Sequence, residues 1–144
     1  MKNTHAIKSL VAVGLITLAN LAAADLVVIV NPKSPLTSMT PEQVSAIFMG
    51  KTNTLPSGTT AAPVDLPESS AVREQFYSKA AGKTSSQVKA TWARLTFSGK
   101  AQPPKELATA ADVKKFVAGN PDAIGYIEKS AVDGTVKAIL SIGD

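Results

Sequence analysis

The sequence contains no cysteine and only one histidine, His5, among its 144 residues. Without cysteine the chain can form neither a disulfide nor a Cys-His catalytic pair. His5 lies in an N-terminal segment that we expect to be removed. Without it, neither a Ser-His-Asp triad nor a zinc site of the usual Cys/His type can form. The sequence therefore predicts no metal site and no cofactor.

Long apolar runs are also scarce. The chain is 44% hydrophobic and 18% charged, with a mean hydropathy of +0.10, which is typical of one globular domain. The most apolar stretch, residues 10–21, is shorter than the roughly 20 residues that a membrane-spanning helix needs. A permanent transmembrane anchor is therefore not predicted at this place.

The N-terminus has the three parts of a secretory signal peptide. Lys2 and Lys8 form a basic region, the apolar stretch follows, and three alanines at 22–24 offer a cleavage site before Asp25. We therefore expect residues 1–24 to be a cleaved signal peptide and residues 25–144 to form one domain. The mature protein is expected in the periplasm, without membrane insertion.

The charge of the mature chain is small. Cleavage removes two lysines and no acidic residue, so the formal charge falls from +4 to +2. The remaining lysines are scattered, and only Lys114 and Lys115 are adjacent. A nucleic-acid-binding domain usually has a larger and clustered positive charge. No nucleic-acid partner is therefore predicted.

Strand and helix patterns alternate along the mature chain. Residues 26–30 form an apolar, β-branched run typical of a strand buried on both faces. Helices are predicted to begin at three capping threonines and after two serines. Further strands are predicted at 63–66, 123–127 and 135–140, with Gly125 indicating a close backbone approach. The order predicts an α/β domain with a small mixed sheet flanked by helices.

Segment 64–76 joins a predicted strand to a predicted helix through Ser69 and Ser70. The first turn of a helix leaves N–H groups without partners at the positive end of its dipole, and Arg73 lies one turn in. Such a place is suited to a phosphate or sulfate. The alternative interpretation is that one serine simply caps the helix.

No residue pattern points to catalysis. The sequence has no phosphate-binding P-loop, no Gly-x-Ser-x-Gly nucleophile motif and no closely spaced carboxylate pair of the glycosidase kind. Trp92, the one tryptophan, falls in an apolar helical stripe and is predicted to pack in the core. We therefore predict a binding protein and not an enzyme.

Three segments, in order, resemble periplasmic phosphate-binding proteins of ABC transporters. Residues 41–51, PEQVSAIFMGK, resemble that family's leucine-rich helix with Ile-Phe-x-Gly-Lys. Residues 120–126, NPDAIGY, resemble its Asn/Thr-Pro-Gly-Ala-Ile-Gly-Tyr segment. Between them, residues 70–76, SAVREQF, stand where the family has its Ser-Gly-Thr-Arg-x-x-Phe phosphate loop. The resemblance covers nearly all of residues 26–140.

This resemblance implies a type II periplasmic-binding-protein fold, of which the chain would form a single lobe, and an oxyanion ligand. It assigns Ser70 as the phosphate-loop serine, Arg73 as the arginine and Phe76 as the packed aromatic. Ala71 stands where the family has glycine, and Val72 where it has a ligand threonine. One hydroxyl donor is thereby lost, and the serine at position 69 could compensate from one position earlier.

Two functions follow as hypotheses. In the first, the chain is an exported, accessory solute-binding protein that binds phosphate or a similar oxyanion weakly at residues 69–73 and takes part in transport. In the second, it is a non-catalytic periplasmic interaction module that has lost ligand binding. The module would dock on an envelope protein or associate with a second copy of itself.

Overall fold

The computed structural model describes residues 25–143, so the predicted signal peptide lies outside the described residues. Strands and helices alternate along this part of the chain in an α/β arrangement. Their bounds are β1 Leu26–Val30, α1 Pro41–Phe48, β2 Ala62–Asp65, α2 Ala71–Ala81, α3 Ser85–Phe97, β3 Lys105–Glu106, α4 Ala110–Gly119, β4 Ala123–Glu128, a 3-10 helix Lys129–Ala131, and β5 Lys137–Ile142.

The five strands form one mixed sheet in the order β3-β2-β4-β1-β5. β1 pairs antiparallel with β4 and with β5, whereas β2 pairs parallel with β4 and with β3. All five residues of β1 are buried, which confirms the prediction of a strand covered on both faces. The predicted small mixed sheet with flanking helices is confirmed.

The predicted helix starts are confirmed by their caps. Thr40 and Thr84 each accept the N–H of a glutamine three residues on, and that glutamine's side chain accepts the threonine's own N–H. Thr109 caps α4 through the N–H of the residue three positions on. After α1 and α2 the chain turns away at Gly50 and Gly82, whose φ angles of 74° and 63° are left-handed.

Two strands differ from the sequence predictions by more than one residue. β3 was not predicted, because Pro103-Pro104 indicates a loop and the strand that follows has only two residues, which pair with β2. The last strand begins at Lys137 and ends at Ile142, two residues later than predicted at each end. Its place is set by its pairing with β1, where Leu26 lies opposite Ile142, and this pairing has no local sequence signal.

Aromatic rings form the centre of the core. Phe76 is 1% exposed and stacks on Tyr126 with ring centroids 3.9 Å apart and planes 4° apart, while Phe48 meets Phe76 edge-on at 4.9 Å. The family resemblance predicted Phe76 as a packed aromatic. Trp92 is also buried, and its indole N–H donates to the Phe48 carbonyl at 2.9 Å, which confirms the prediction of core packing.

Gly125 lies in β4, where the sheet meets α4. A Cβ atom at this position would lie 2.8 Å from Val113 Cγ1 and 2.9 Å from Val64 Cγ2. The predicted close approach at Gly125 is therefore confirmed. Among the helices of residues 25–143, none combines the length and the apolar character needed to span a membrane.

Candidate functional site

The start of α2 has the geometry that the sequence predicted. Ser70 is the N-cap residue, with extended backbone angles of φ −73° and ψ 124°, and its Oγ accepts the N–H of Arg73 at 3.2 Å. The interpretation of one serine as a cap is therefore confirmed for Ser70. The N–H groups of Ala71 and Val72 come earlier in the first turn, where a helix offers them no carbonyl partner. The Ser70 hydroxyl hydrogen also remains available for a ligand.

A cavity of about 310 Å³ lies in front of this helix start. Ser70 and Val72 of α2 line it, and so do Thr109 and Ala110, the cap and first residue of α4. Two helix N-termini therefore face one cavity, and both place the positive end of a helix dipole there. Both helix starts are visible separately in the sequence, but their meeting at one cavity is not.

The remaining walls of this cavity are less favourable to an anion. Leu66 and Ile127 are buried and apolar, and the partly buried Glu128 adds a carboxylate. Apolar walls lower the local dielectric, which strengthens the attraction of helix dipoles and the repulsion by Glu128 alike. In the described part of the chain, no group of three histidine, cysteine or acidic residues lies close enough to hold a metal ion.

Arg73 points away from this cavity. Its Nε lies 3.4 Å from Asp65 Oδ1, its Nη1 donates to Ser85 Oγ at 3.1 Å, and its guanidinium lies 4.9 Å from the centre of the Tyr77 ring. The side chain of Arg73 is only 13% exposed. The structure thus brings Ser70 and Val72 together around one cavity, while the arginine is held by partners within the chain.

Arg73 lines a second cavity, of about 340 Å³, which shares only Leu66 with the first. This cavity has two cationic residues, Arg73 and Lys89, and three acidic ones, Asp65, Glu68 and Glu106. The surplus of carboxylates makes it a poor place for a free anion. Ser69, the other predicted site residue, is exposed in the turn before α2.

Asp65 is the centre of a buried hydrogen-bond network that sequence reasoning missed. The residue is 5% exposed, and its carboxylate accepts the hydroxyls of Tyr77, at 2.5 Å, and Tyr126. It also accepts the N–H of Leu66 at 2.9 Å. Together with Arg73, these donors compensate the cost of burying a carboxylate.

The network also alters the two tyrosines. Burial, followed by the charge of the Asp65 carboxylate and the hydrogen bond to it, raises the pKa of Tyr77 and of Tyr126 well above their ordinary value of 10. Both hydroxyls are therefore protonated donors at any ordinary pH. The one signal in the sequence is an acidic residue between two apolar ones, Val64 and Leu66, at the end of a strand.

Comparison with known proteins finds matches among solved structures. A phosphate ABC transporter substrate-binding protein from Clostridium perfringens, solved with bound phosphate, matches with a TM-score of 0.65 and 23% identity. An ABC-type phosphate transport receptor from Vibrio cholerae matches with 0.63 and 25%, and PstS from Borrelia burgdorferi with 0.60 and 16%. Neither models of protein families nor curated protein sequences match the chain.

These matches cover the chain far more completely than they cover the other proteins. Each of the three alignments includes 81% of this chain, but only 45%, 46% and 47% of the respective solved chains. The chain therefore spans about half the length of the proteins that it matches. The resemblance found in the three sequence segments is confirmed as a likeness of fold. The described chain has the α/β fold of one lobe of a phosphate ABC transporter substrate-binding protein.

Proposed function

We propose that the protein is an exported, non-catalytic oxyanion-binding domain, formed by residues 25–144 after removal of a signal peptide at 1–24. It binds phosphate or a similar anion in the periplasm, as an accessory solute-binding protein in transport. The observation that carries the proposal is the cavity at which the starts of α2 and α4 meet. The phosphate proteins with the same fold support the choice of ligand class.

The anion would be held mainly by backbone groups. Val72, in the first turn of α2, and Ala110, in the first turn of α4, both line the cavity, and the N–H groups of a first turn lack carbonyl partners within the helix. The Ser70 hydroxyl adds a donor, because its oxygen accepts from the backbone and its hydrogen does not take part in that bond. Serine 69, exposed in the preceding turn, is the remaining candidate for a hydroxyl contact.

Three features make this binding weak. Val72 offers a methyl surface in place of a hydroxyl, Glu128 repels an anion, and Asp65 keeps Arg73 outside the cavity. We expect a dissociation constant on the order of 1 mM, which corresponds to roughly −4 kcal/mol.

Calorimetric titration of residues 25–144 with phosphate and with sulfate tests the proposal. Ser70→Asp is the informative variant, because aspartate caps a helix as well as serine does but places a negative charge in the anion site. Ser78→Asp is the matched control, since Ser78 is exposed on the same helix. We expect binding to be lost in the first variant and kept in the second. Absence of binding in the unaltered protein, or equal binding in both variants, would refute the proposal.

One observation favours the second hypothesis, the interaction module. Phe97, at the end of α3, is 97% exposed and is the one large hydrophobic side chain among the described residues that lies open to solvent. Aromatic residues, phenylalanine among them, are enriched in protein interfaces relative to the rest of the surface. Self-association through this ring would appear as a dimer by sedimentation that Phe97→Ser converts to a monomer. The interaction-module hypothesis would be excluded if the unaltered protein is a monomer at all concentrations and if it and the Phe97→Ser variant retain the same proteins in a periplasmic pull-down.

A further inference from the structure

A larger groove, of about 590 Å³, lies between the loop that follows α1 and the loop that follows α3. Lys51, from the first loop, and Lys100, from the second, both line it. We propose that this groove is a second binding site, separate from the cavity at the starts of α2 and α4. Its ligand is a small organic anion that carries an apolar group, such as an aromatic or sugar phosphate or carboxylate.

The two lysines are placed by the same backbone motif. Each follows a glycine in the left-handed conformation, Gly50 with φ 74° and Gly99 with φ 69°. The N–H of Lys51 then donates to Ala46 O at 2.8 Å, and that of Lys100 to the carbonyl five residues before it at 3.0 Å. This is the hydrogen-bond pattern of a Schellman helix end, which fixes the direction in which the chain leaves the helix. The backbone under both ammonium groups is therefore held in a defined position.

The floor of the groove is also rigid. Trp92 is fixed by the hydrogen bond from its indole to Phe48 O, and Gly50 packs directly against it. A Cβ atom on Gly50 would lie 2.9 Å from the Trp92 ring and 2.6 Å from Leu95 Cδ1. Glycine is thus required at position 50 for two reasons: a side chain would clash with Trp92 and Leu95, and the backbone has a left-handed φ of 74°. The ligand surface is preformed, which lowers the ordering cost of binding.

The charge of the groove is of one sign. Lys51 and Lys100 both line it, and no aspartate or glutamate does. Within residues 25–143 neither ammonium has an ion-pair partner. In contrast, carboxylates outnumber cations in the cavity next to Arg73. The lining of the groove itself therefore attracts an anion more than the lining of the cavity next to Arg73 does.

The size and the walls of the groove indicate the class of anion. Its volume falls within the roughly 300–1,000 Å³ of small-molecule sites and exceeds what one inorganic phosphate needs. Trp92, Ile47 and Pro103 provide an apolar surface, and Asn53 and Gln102 provide amide groups at the rim. Such a surface favours a ligand that combines an apolar or flat part with a charged group.

Nuclear magnetic resonance titration of 15N-labelled residues 25–144 tests the proposal, with phenyl phosphate as the probe. Inorganic phosphate and phenol each supply only one half of that probe. We expect phenyl phosphate to shift the Trp92 indole N–H and the amides of Lys51 and Lys100 at millimolar concentration. Each half alone should bind at least tenfold more weakly at these positions. Equal affinity for either half, or no shift of these resonances, would overturn the proposal.

The chain provides a matched control for the lysines. Lys83 follows Gly82 at the end of α2 with the same left-handed glycine and donates its N–H to Tyr77 O, but it does not line the groove. The double variant Lys51→Gln/Lys100→Gln should lower the affinity for phenyl phosphate about tenfold or more, whereas Lys83→Gln should leave it unchanged. An equal effect of both, or an unchanged double variant, would contradict the proposal. The amide resonances of Ser70 and Val72 report binding in the other cavity. The two proposed sites can therefore be confirmed or refuted independently of each other.

Discussion

Replacement of Asp65 by alanine should destabilise the protein strongly. The substitution removes the shared acceptor of two buried hydroxyls, those of Tyr77 and Tyr126, and of the Arg73 guanidinium. Each donor would then remain buried without its partner. Tyr77 is fully buried and Arg73 is 13% exposed, so water can replace the lost contacts only in part.

The expected magnitude follows from these contacts. Removal of one member of a buried ion pair costs about 3–5 kcal/mol, because the other charge is left uncompensated. Two hydroxyl hydrogen bonds to a charged acceptor, at about 1.5–3 kcal/mol each, give a similar sum. The sum of these two costs is an upper limit, because removal of the buried carboxylate also removes its own desolvation cost. We therefore expect the free energy of unfolding to fall by about 3–5 kcal/mol. Since domains of this size are stable by about 5–15 kcal/mol, the variant should still fold at low temperature.

Urea denaturation of residues 25–144 measures the effect. With a slope of about 2 kcal/mol per molar urea, the midpoint should fall by roughly 1.5–2.5 M without a change of slope. Asp133→Ala is the control, because Asp133 is an exposed carboxylate that also pairs with a cation, Lys114 at 2.8 Å. If Asp65→Ala shifts the midpoint no more than the control does, the network does not stabilise the fold as argued.

Three further predictions concern the core. Gly125→Ala should lower the stability by about 1–3 kcal/mol in urea, because the added Cβ would lie 2.8 and 2.9 Å from two valine methyl groups; an unchanged midpoint would contradict it. The pKa of Tyr77 and of Tyr126 lies above 10 in the folded protein, so above about pH 10 the unfolded chain releases these two protons first. The stabilisation by the two protonated hydroxyls is therefore complete below about pH 10, and above it the free energy of unfolding falls by up to about 1.4 kcal/mol per pH unit for each tyrosine. The double Tyr→Phe variant should show a smaller slope, and tyrosinate absorbance from the folded protein near pH 10 would refute the burial argument. Trp92→Phe should lower the free energy of unfolding by about 1–3 kcal/mol, because it leaves Phe48 O without its donor and leaves a void. In urea or thermal denaturation, a loss no larger than that of a substitution on the surface would be inconsistent with this packing.

The sequence predicted the site less completely than the fold. It indicated Ser70 as a helix start that could hold an anion, and the cap is present. It did not indicate that the start of α4 faces the same cavity, or that Arg73 turns away toward Asp65. Whether the residues at 69–73 bind an anion stays a prediction. Side-chain direction depends on neighbours that are distant in the chain, such as Tyr126, which lies 61 residues after Asp65.

Local features were determined by the sequence alone. Capping boxes at Thr40 and Thr84 fix helix starts through atoms three residues apart, left-handed glycines fix helix ends, and the apolar run of β1 specifies a buried strand. These interactions are short in range, so a window of a few residues contains all their partners. The likeness to a phosphate-binding lobe was visible in the same way, as three short segments in a fixed order.

Only the tertiary structure decided which of these features meet. The two-residue strand β3 and the position of β5 depend on pairing with strands far away in the chain. The two Gly-Lys helix ends that share a groove, Lys51 and Lys100, are indistinguishable in sequence from a third, Lys83, that does not. The physical reason is that the charge of a cavity is the sum over all its walls. Each wall comes from a different segment, and the packing of the core sets how the segments come together.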